Sequence, residues 1–251
     1  MKVVGVIPAR FNSSRLPGKP LIDICGQPMI KRVYDRAKLV ESFAEVIVAT
    51  DDDRIKKKCE EYNIPVLLTS KDHATHVNRI HEVSNIISAD YYVVICGDEP
   101  LIDPQNIIKV FPDNLIKDDY YVCGLCRFLT NPTEVIDPGN IKVVTNEEDE
   151  CILLSRAVIP FPYKTVMFKY KKVVGVECYN KKALDLFVSL PKGSLEEIED
   201  VTLQRFLENK IHVKYRLTKS ESLSVDTYKD LEKVREMIRE MQSESNGGVL
   251  E

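Results

Sequence analysis

Short apolar runs alternate with amphipathic helical stretches through the first hundred residues. Residues 3–7 (Val-Val-Gly-Val-Ile), 45–50 (Glu-Val-Ile-Val-Ala-Thr) and 91–95 (Tyr-Tyr-Val-Val-Ile) each read as a buried strand, and 65–69 as a further short strand. Between them, residues 28–42 place Ile30, Val33, Ala37 and Val40 at helical spacing. Ile55, Cys59 and Tyr62 follow Asp51, Asp52 and Asp53, and Val77, Ile80, Val83 and Ile87 follow Thr75, in the same period. The aspartate run reads as a helix start rather than a metal site, and Thr75 or Asp72 as the cap of the next helix. Strand and helix in alternation predict an α/β fold with a doubly wound, mostly parallel sheet and right-handed crossovers. Beyond Asn114 the pattern changes. Runs at 120–129, 141–145, 151–156 and 171–179 follow one another as strands, which predicts antiparallel hairpins and a mixed sheet. A short helix at 181–190, a longer one at 195–209 with Ile198, Arg205 and Phe206 in register, and a strand at 211–217 come next. The final helix, 228–243, carries Leu231, Val234, Ile238 and Met241 on one face; residues 245–251 read as a frayed tail.

Composition removes several classes of function. With 251 residues, 44% apolar and 29% charged, the chain is the size of one sizeable α/β domain, taken here as residues 1–244. A net charge of −4 gives no global basic field for nucleic acid. No apolar run approaches the roughly 18 residues of a membrane span, and the N-terminus enters a strand directly, so a cytoplasmic protein is expected. Seven cysteines, scattered and odd in number, do not make a disulfide framework. Cys123 and Cys126 lie within one strand run and fall on opposite faces, which argues against a shared zinc ion. His76 and His81 are five apart, a poor spacing for a metal on a helix.

The chemistry-bearing residues cluster where the strands end. Pro8 stops the first strand, and a loop of small and turn-forming residues follows with three cations, Arg10, Arg15 and Lys19. Such a loop suits a polyphosphate, because backbone N–H groups come close while Arg forks and a Lys point charge meet the oxygens. Its alternative is a solvated basic loop. The position, at the carboxyl end of a buried strand, favours a ligand. The fourth buried strand ends in Cys96-Gly97-Asp98-Glu99-Pro100, where a carboxylate and substrate phosphates could share a hard cation; the alternative is a turn aspartate. Asp226, read alone, could be only a helix cap.

Pro8-Ala9-Arg10 followed by Ser14-Arg15-Leu16-Pro17-Gly18-Lys19-Pro20-Leu21 resembles the signature loop of the CMP-Kdo synthetases (Kdo is 3-deoxy-manno-octulosonate) and, more broadly, of cytidylyltransferases that activate acidic sugars. It is neither the P-loop nor the dinucleotide fingerprint. Gly97-Asp98-Glu99-Pro100, Val225-Asp226-Thr227 (after Ser224, where the family has glycine), and Asp72, His73 and Arg79 match further family motifs.

The resemblance implies a Rossmann-like, nucleotide-diphospho-sugar transferase fold, with a nucleotide half at about 1–115 and a sugar-binding part at about 116–220. That second part includes a small antiparallel dimerisation lobe. The implied reaction transfers CMP from CTP to the hydroxyl of an acidic sugar for lipopolysaccharide or capsule, with Mg²⁺ as cofactor and a homodimer as the assembly. Pro8, Ala9, Arg10, Arg15, Lys19, His73, Gly97 and Asp98 would bind the nucleotide. Arg10, Arg15, Lys19 and Asp98 would carry the catalysis, and Asp98 and Asp226 would hold the metal. Arg79, Arg156 and Gln204 are the candidates for the acceptor, an Arg fork being suited to its carboxylate. Five positions depart from the family: His76 for a glycine, Asn78 for an acid, Cys96 for a glutamine, Val173 for a histidine and Thr202 for a glutamate. The family's Gly-Ile-Tyr-Gly-Tyr run is here Gly175-Val-Glu-Cys-Tyr. These departures keep open the same chemistry on another acidic acceptor, or CTP binding without catalysis.

Overall fold

The computed structural model describes residues 1–12, 16–117, 119–165, 168–219 and 223–247, with side chains as far as 243. In chain order the strands are β1 (Val3–Ala9), β2 (Asp23–Ile24), β3 (Gln27–Pro28), β4 (Glu45–Thr50), β5 (Val66–Leu68), β6 (Tyr91–Ile95), β7 (Val122–Phe128), β8 (Lys142–Thr145), β9 (Cys151–Ser155), β10 (Lys171–Asn180) and β11 (Lys214–Thr218). The helices are α1 (Met29–Lys38), α2 (Asp53–Glu61), α3 (His76–Ile86), α4 (Pro104–Ile107), α5 (Pro132–Ile136), α6 (Lys181–Ser189), α7 (Ser194–Glu199), α8 (Gln204–Glu208) and α9 (Tyr228–Gly247).

One sheet runs β11-β7-β10-β6-β1-β4-β5, with the β8–β9 hairpin attached through β10. Along that path only β10 is reversed, being antiparallel to both β6 and β7. The neighbours β6–β1–β4–β5 and β7–β11 are parallel. This is the doubly wound, mostly parallel mixed sheet that the alternation predicts.

The strands divide two cores. Ile7, Val93 and Val176 point to one face, where α1, α2 and α9 pack. Val6, Val94 and Tyr179 point to the other, with α3 and α6. Adjacent residues alternate because the strand period is two. Cys123 and Cys126 fall into different cores, as that period requires.

Four expectations are corrected. Pro8 does not stop the first strand: Pro8 and Ala9 stay in register with Ala49 and Thr50 of β4, and the missing N–H is tolerated because pairing with β6 has already ended at Val6. The helix expected over 195–209 is broken into α7 and α8, because Asp200 turns left-handed at φ 51° and caps α7. The break lets Val201 and Leu203 turn into the core and leaves Ile198 outside, 80% exposed. Arg205 on α8 then pairs with the buried Glu196 on α7 at 2.7 and 2.8 Å. Met241, assigned to the apolar face of the last helix, is half exposed, whereas Leu231, Val234 and Ile238 are buried. The helix itself continues to Gly247, so residues 245–247 are helical and 248–251 lie outside the described residues.

Candidate active site

The carboxyl ends of β1 and β6 lie side by side, since the two strands pair in parallel. The loop leaving β1 is anchored by Leu16, which is fully buried, and closed by a bond from Gly18 N–H to Phe11 O at 3.0 Å. Gly18 sits at φ 69° under the Phe11 ring, a backbone that a side chain would strain. Lys19 then opens a single 3-10 turn, Lys19–Leu21, that aims its side chain back across the sheet edge. Gly97 lets the loop after β6 come close, because a Cβ there would lie 3.1 Å from Pro8 O.

Three distant segments meet on the Lys19 ammonium. It donates to Asp98 Oδ2 at 2.7 Å, to Asp226 Oδ1 at 3.3 Å and to Val225 O at 3.1 Å. Val225 N–H donates to Asp98 O at 2.9 Å, which ties the segment before α9 to the end of β6. Burial alone would lower the Lys19 pKa, but the two aspartates outweigh it and hold the ammonium above its ordinary value. The carboxylates that the sequence separates are therefore one site. They offer two hard oxygen donors, and among the described residues no group of three or more acidic, His or Cys side chains forms a self-sufficient metal cage. That donor set fits Mg²⁺, which takes one or two carboxylates and completes its shell with water and phosphate oxygens.

Arg10 follows the last residue of β1 and donates from Nη2 to His73 O at 2.9 Å. Burial, then the Arg79 charge, pull its pKa down, while Asp51 pulls it up. The His73 ring is held by Glu82. Pro8 and Ala9 are the last residues of β1, beside Gly97. Arg15 lies outside the described residues.

The same edge opens into a cleft of about 1030 Å³ that includes Asp98 and Asp226. Four of the five departures line it: His76, Cys96, Val173 and Thr202. Asn78 does not, because it closes a capping box with Thr75 at the start of α3.

Glu177 lies on the cleft's buried side, where it accepts from Tyr179 Oη at 2.6 Å and lies 2.8 Å from His76 Nε2. Burial pushes the Glu177 carboxyl up, but His76 and the Tyr179 bond prevail and hold it below the usual range. The Cys96 thiol is pushed well up by burial. Its strand end fits only because residue 175 is glycine, whose Cβ would otherwise meet Cys96 Cβ at 2.7 Å.

The three acceptor candidates do not line the cleft. Arg79 is fully buried and pairs with Asp51 at 2.6 Å and with Thr69, so its fork is committed to the ends of β4 and β5. Arg156 gives its donors to backbone oxygens of Pro138, Glu199 and Asp200. Gln204 is buried against Leu154 O, and the neighbours that reach the cleft are Asp200–Leu203 instead. Sequence reading passed over Glu177, Arg127 and Lys172, all of which line the cleft. A charged residue inside the apolar run 173–179 was the available signal for Glu177.

A cytidylyltransferase family model matches residues 4–221. The chain is 36% identical to the 3-deoxy-manno-octulosonate cytidylyltransferase of Escherichia coli, covering 97% of this chain and 99% of that one. It is equally 36% identical to the 8-amino-3,8-dideoxy-manno-octulosonate cytidylyltransferase of Shewanella baltica (strain OS185), over 95% and 99%. Among solved structures, a CMP:2-keto-3-deoxy-manno-octonic acid synthetase complexed with CTP superposes with a TM-score of 0.88 at 35% identity, over 96% of this chain and 100% of that one.

Proposed function

The chain belongs to the cytidylyltransferase family, and from that membership we propose that it transfers CMP from CTP to a hydroxyl of an acidic, Kdo-like sugar and releases pyrophosphate. The observation that carries this reading is the meeting of Asp98 and Asp226 at the Lys19 ammonium, beside the cationic loop of β1. The acceptor hydroxyl gives up its proton to solvent as its oxygen forms a bond to the α-phosphorus. The bond from that phosphorus to the bridging oxygen breaks, and the electron pair leaves with pyrophosphate. Such a transfer depends on positioning and charge neutralisation more than on covalent help from protein. Arg10, Arg15 and Lys19 would hold the triphosphate and meet the charge that grows on the leaving group. Pro8, Ala9, His73 and Gly97 would shape the nucleotide side. Asp98 and Asp226 would hold Mg²⁺, which when bound supplies charge neutralisation between these carboxylates and the phosphate oxygens.

The test is Asp226→Asn. Pyrophosphate release from CTP and a sugar acid should fall by at least about 100-fold, with circular dichroism and the melting temperature kept. Chelation of divalent ions should abolish the wild-type rate, and added Mg²⁺ should restore it. Full activity in Asp226→Asn would remove that residue from the mechanism.

A second reading keeps the chemistry and changes the acceptor. His76, Cys96, Val173 and Thr202 all line the cleft, and relatives of equal identity act on Kdo and on its 8-amino analogue by name. Turnover of a panel of sugar acids separates the two, and tight CTP binding without turnover of any would mark a binding protein.

The proposal extends to a homodimer. Ile152 on β9 and Phe161 and Tyr163 in the loop that follows are 63%, 78% and 93% exposed, which is apolar surface suited to a second copy. Among the described residues no helix is long and apolar enough to cross a membrane, in keeping with a cytoplasmic product that supplies lipopolysaccharide or capsule assembly.

A further inference from the structure

An acidic acceptor needs a cation inside the cleft, and neither Arg79 nor Arg156 lines it. Among the described residues that do, Lys229 and Lys233 stand exposed on α9, where solvent screens them. Arg127 and Lys172 are different. They are direct cross-strand partners on β7 and β10, so their side chains leave the same face of the sheet. Like charges placed opposite each other destabilise a sheet, and this pair sits in a half-buried position where the cost is larger.

Arg127 is buried. Its Nη2 donates to Glu134 Oε1 at 2.8 Å and its Nη1 to Phe128 O at 2.9 Å, while its buried Nε has no partner. Lys172 donates to Asn140 Oδ1 at 2.9 Å, which is a neutral partner. No carboxylate of the described residues lies within ion-pair distance of Lys172. Burial, then Arg127, pull the Lys172 ammonium below its ordinary pKa, while Glu134, Glu99 and Asp226 act on it through space in the other direction. Among the described residues Glu134 is thus the one carboxylate in contact with the two adjoining cations, and it is bonded to Arg127, while Lys172 has only a neutral partner in contact at the cleft wall.

We propose that Lys172, backed by Arg127 and held by Asn140, is the subsite that takes the acceptor's carboxylate. This rests on the functional reading above and adds which residue reads the acid group. Lys172 and Asp226 line one cleft, so an acceptor whose carboxylate meets Lys172 has its hydroxyl in the same cleft as the two aspartates. A charge-assisted bond from the Lys172 ammonium would complete the arrangement.

Calorimetric binding of CTP, of 3-deoxy-manno-octulosonate and of its uncharged methyl ester tests this on wild type, Lys172→Met and Lys172→Arg. Wild type should prefer the acid over the ester by about tenfold to a hundredfold. Lys172→Met should lose that preference while keeping its CTP affinity and melting temperature, and Lys172→Arg should retain most of it. A wild type that binds CTP but does not distinguish acid from ester overturns the subsite alone. So does a Lys172→Met variant that keeps the full preference, or one that loses CTP affinity in parallel. A wild type that binds neither CTP nor sugar acid overturns the functional reading and the subsite with it.

Discussion

Asp98 and Asp226 would repel each other if Lys19 did not lie between them. The ammonium is mostly buried, with 15% of its side chain exposed, and the carboxylates are 26% and 32% exposed. Removing the charge should therefore cost more than a surface ion pair and less than a fully buried one, about 1–3 kcal/mol. Lys19→Met should show that loss in denaturant unfolding. Millimolar Mg²⁺ should raise its melting temperature more than it raises that of wild type, because a divalent ion can take the place of the ammonium. An equal response in the two proteins would count against a shared cation site.

Glu177 gives a pH signature. Its folded pKa is depressed despite burial. Its contribution to stability is then complete above the unfolded value, about 4.3, and is lost as pH falls through the folded value. The stability gap between wild type and Glu177→Gln should narrow as pH drops below about 4.3; a gap as wide at pH 3 as at pH 7 would contradict the assignment.

At the scale of elements, the end of each strand does more for the site than its middle. α3 begins with a reciprocal cap in which Thr75 Oγ1 accepts from Asn78 N–H and Asn78 Oδ1 accepts from Thr75 N–H. Thr75→Ala should destabilise the fold by about 0.5–2 kcal/mol, read in denaturant unfolding, and a smaller loss for Asn78→Ala would show that Thr75 dominates the cap. Asn78, which stands where the resembled family has an acid, thus serves the helix start rather than the substrate.

β10 is the element on which the cleft is built. It runs against its neighbours, so its first half carries Lys172 and Val173 past the end of β6, and a register shift between Val174 and Glu177 re-aims the strand. Gly175 stands in that irregular stretch against Cys96. Gly175→Ala should cost about 1–3 kcal/mol through overpacking, measured in the same way; a neutral result would mean that β6 and β10 separate easily here.

At the scale of the whole molecule, the β8–β9 hairpin hangs outside the parallel body and presents apolar side chains to solvent. If that surface joins two copies, the double variant Phe161→Glu, Tyr163→Glu should sediment as a monomer while wild type sediments at twice that mass. A wild type that is already monomeric at tens of micromolar would exclude this use of the surface. The alternation of strands and helices in the first hundred residues was legible because buried parallel strands are continuously apolar and their helices carry a clear 3.6-residue period. The segment 195–209 was misread for the matching reason. Its periodicity looks helical, but a left-handed Asp200 in the middle is a backbone choice made by packing and by the Glu196–Arg205 pair.

The amino-acid order alone determined the sheet type and the cationic run after β1, because each rests on local pattern; the pairing of the two aspartates was implied by the family resemblance, since Asp226 read by itself is only a helix cap. Only tertiary structure decided that Asp98 and Asp226 share one ammonium, that Arg79, Arg156 and Gln204 are consumed inside the framework, and that Lys172 and Arg127 stand together at the cleft. Each of those facts is a contact between segments far apart in the chain. Whether an arginine meets a substrate or a neighbouring carbonyl depends on what the fold has already placed around it, and no spacing within one segment encodes that.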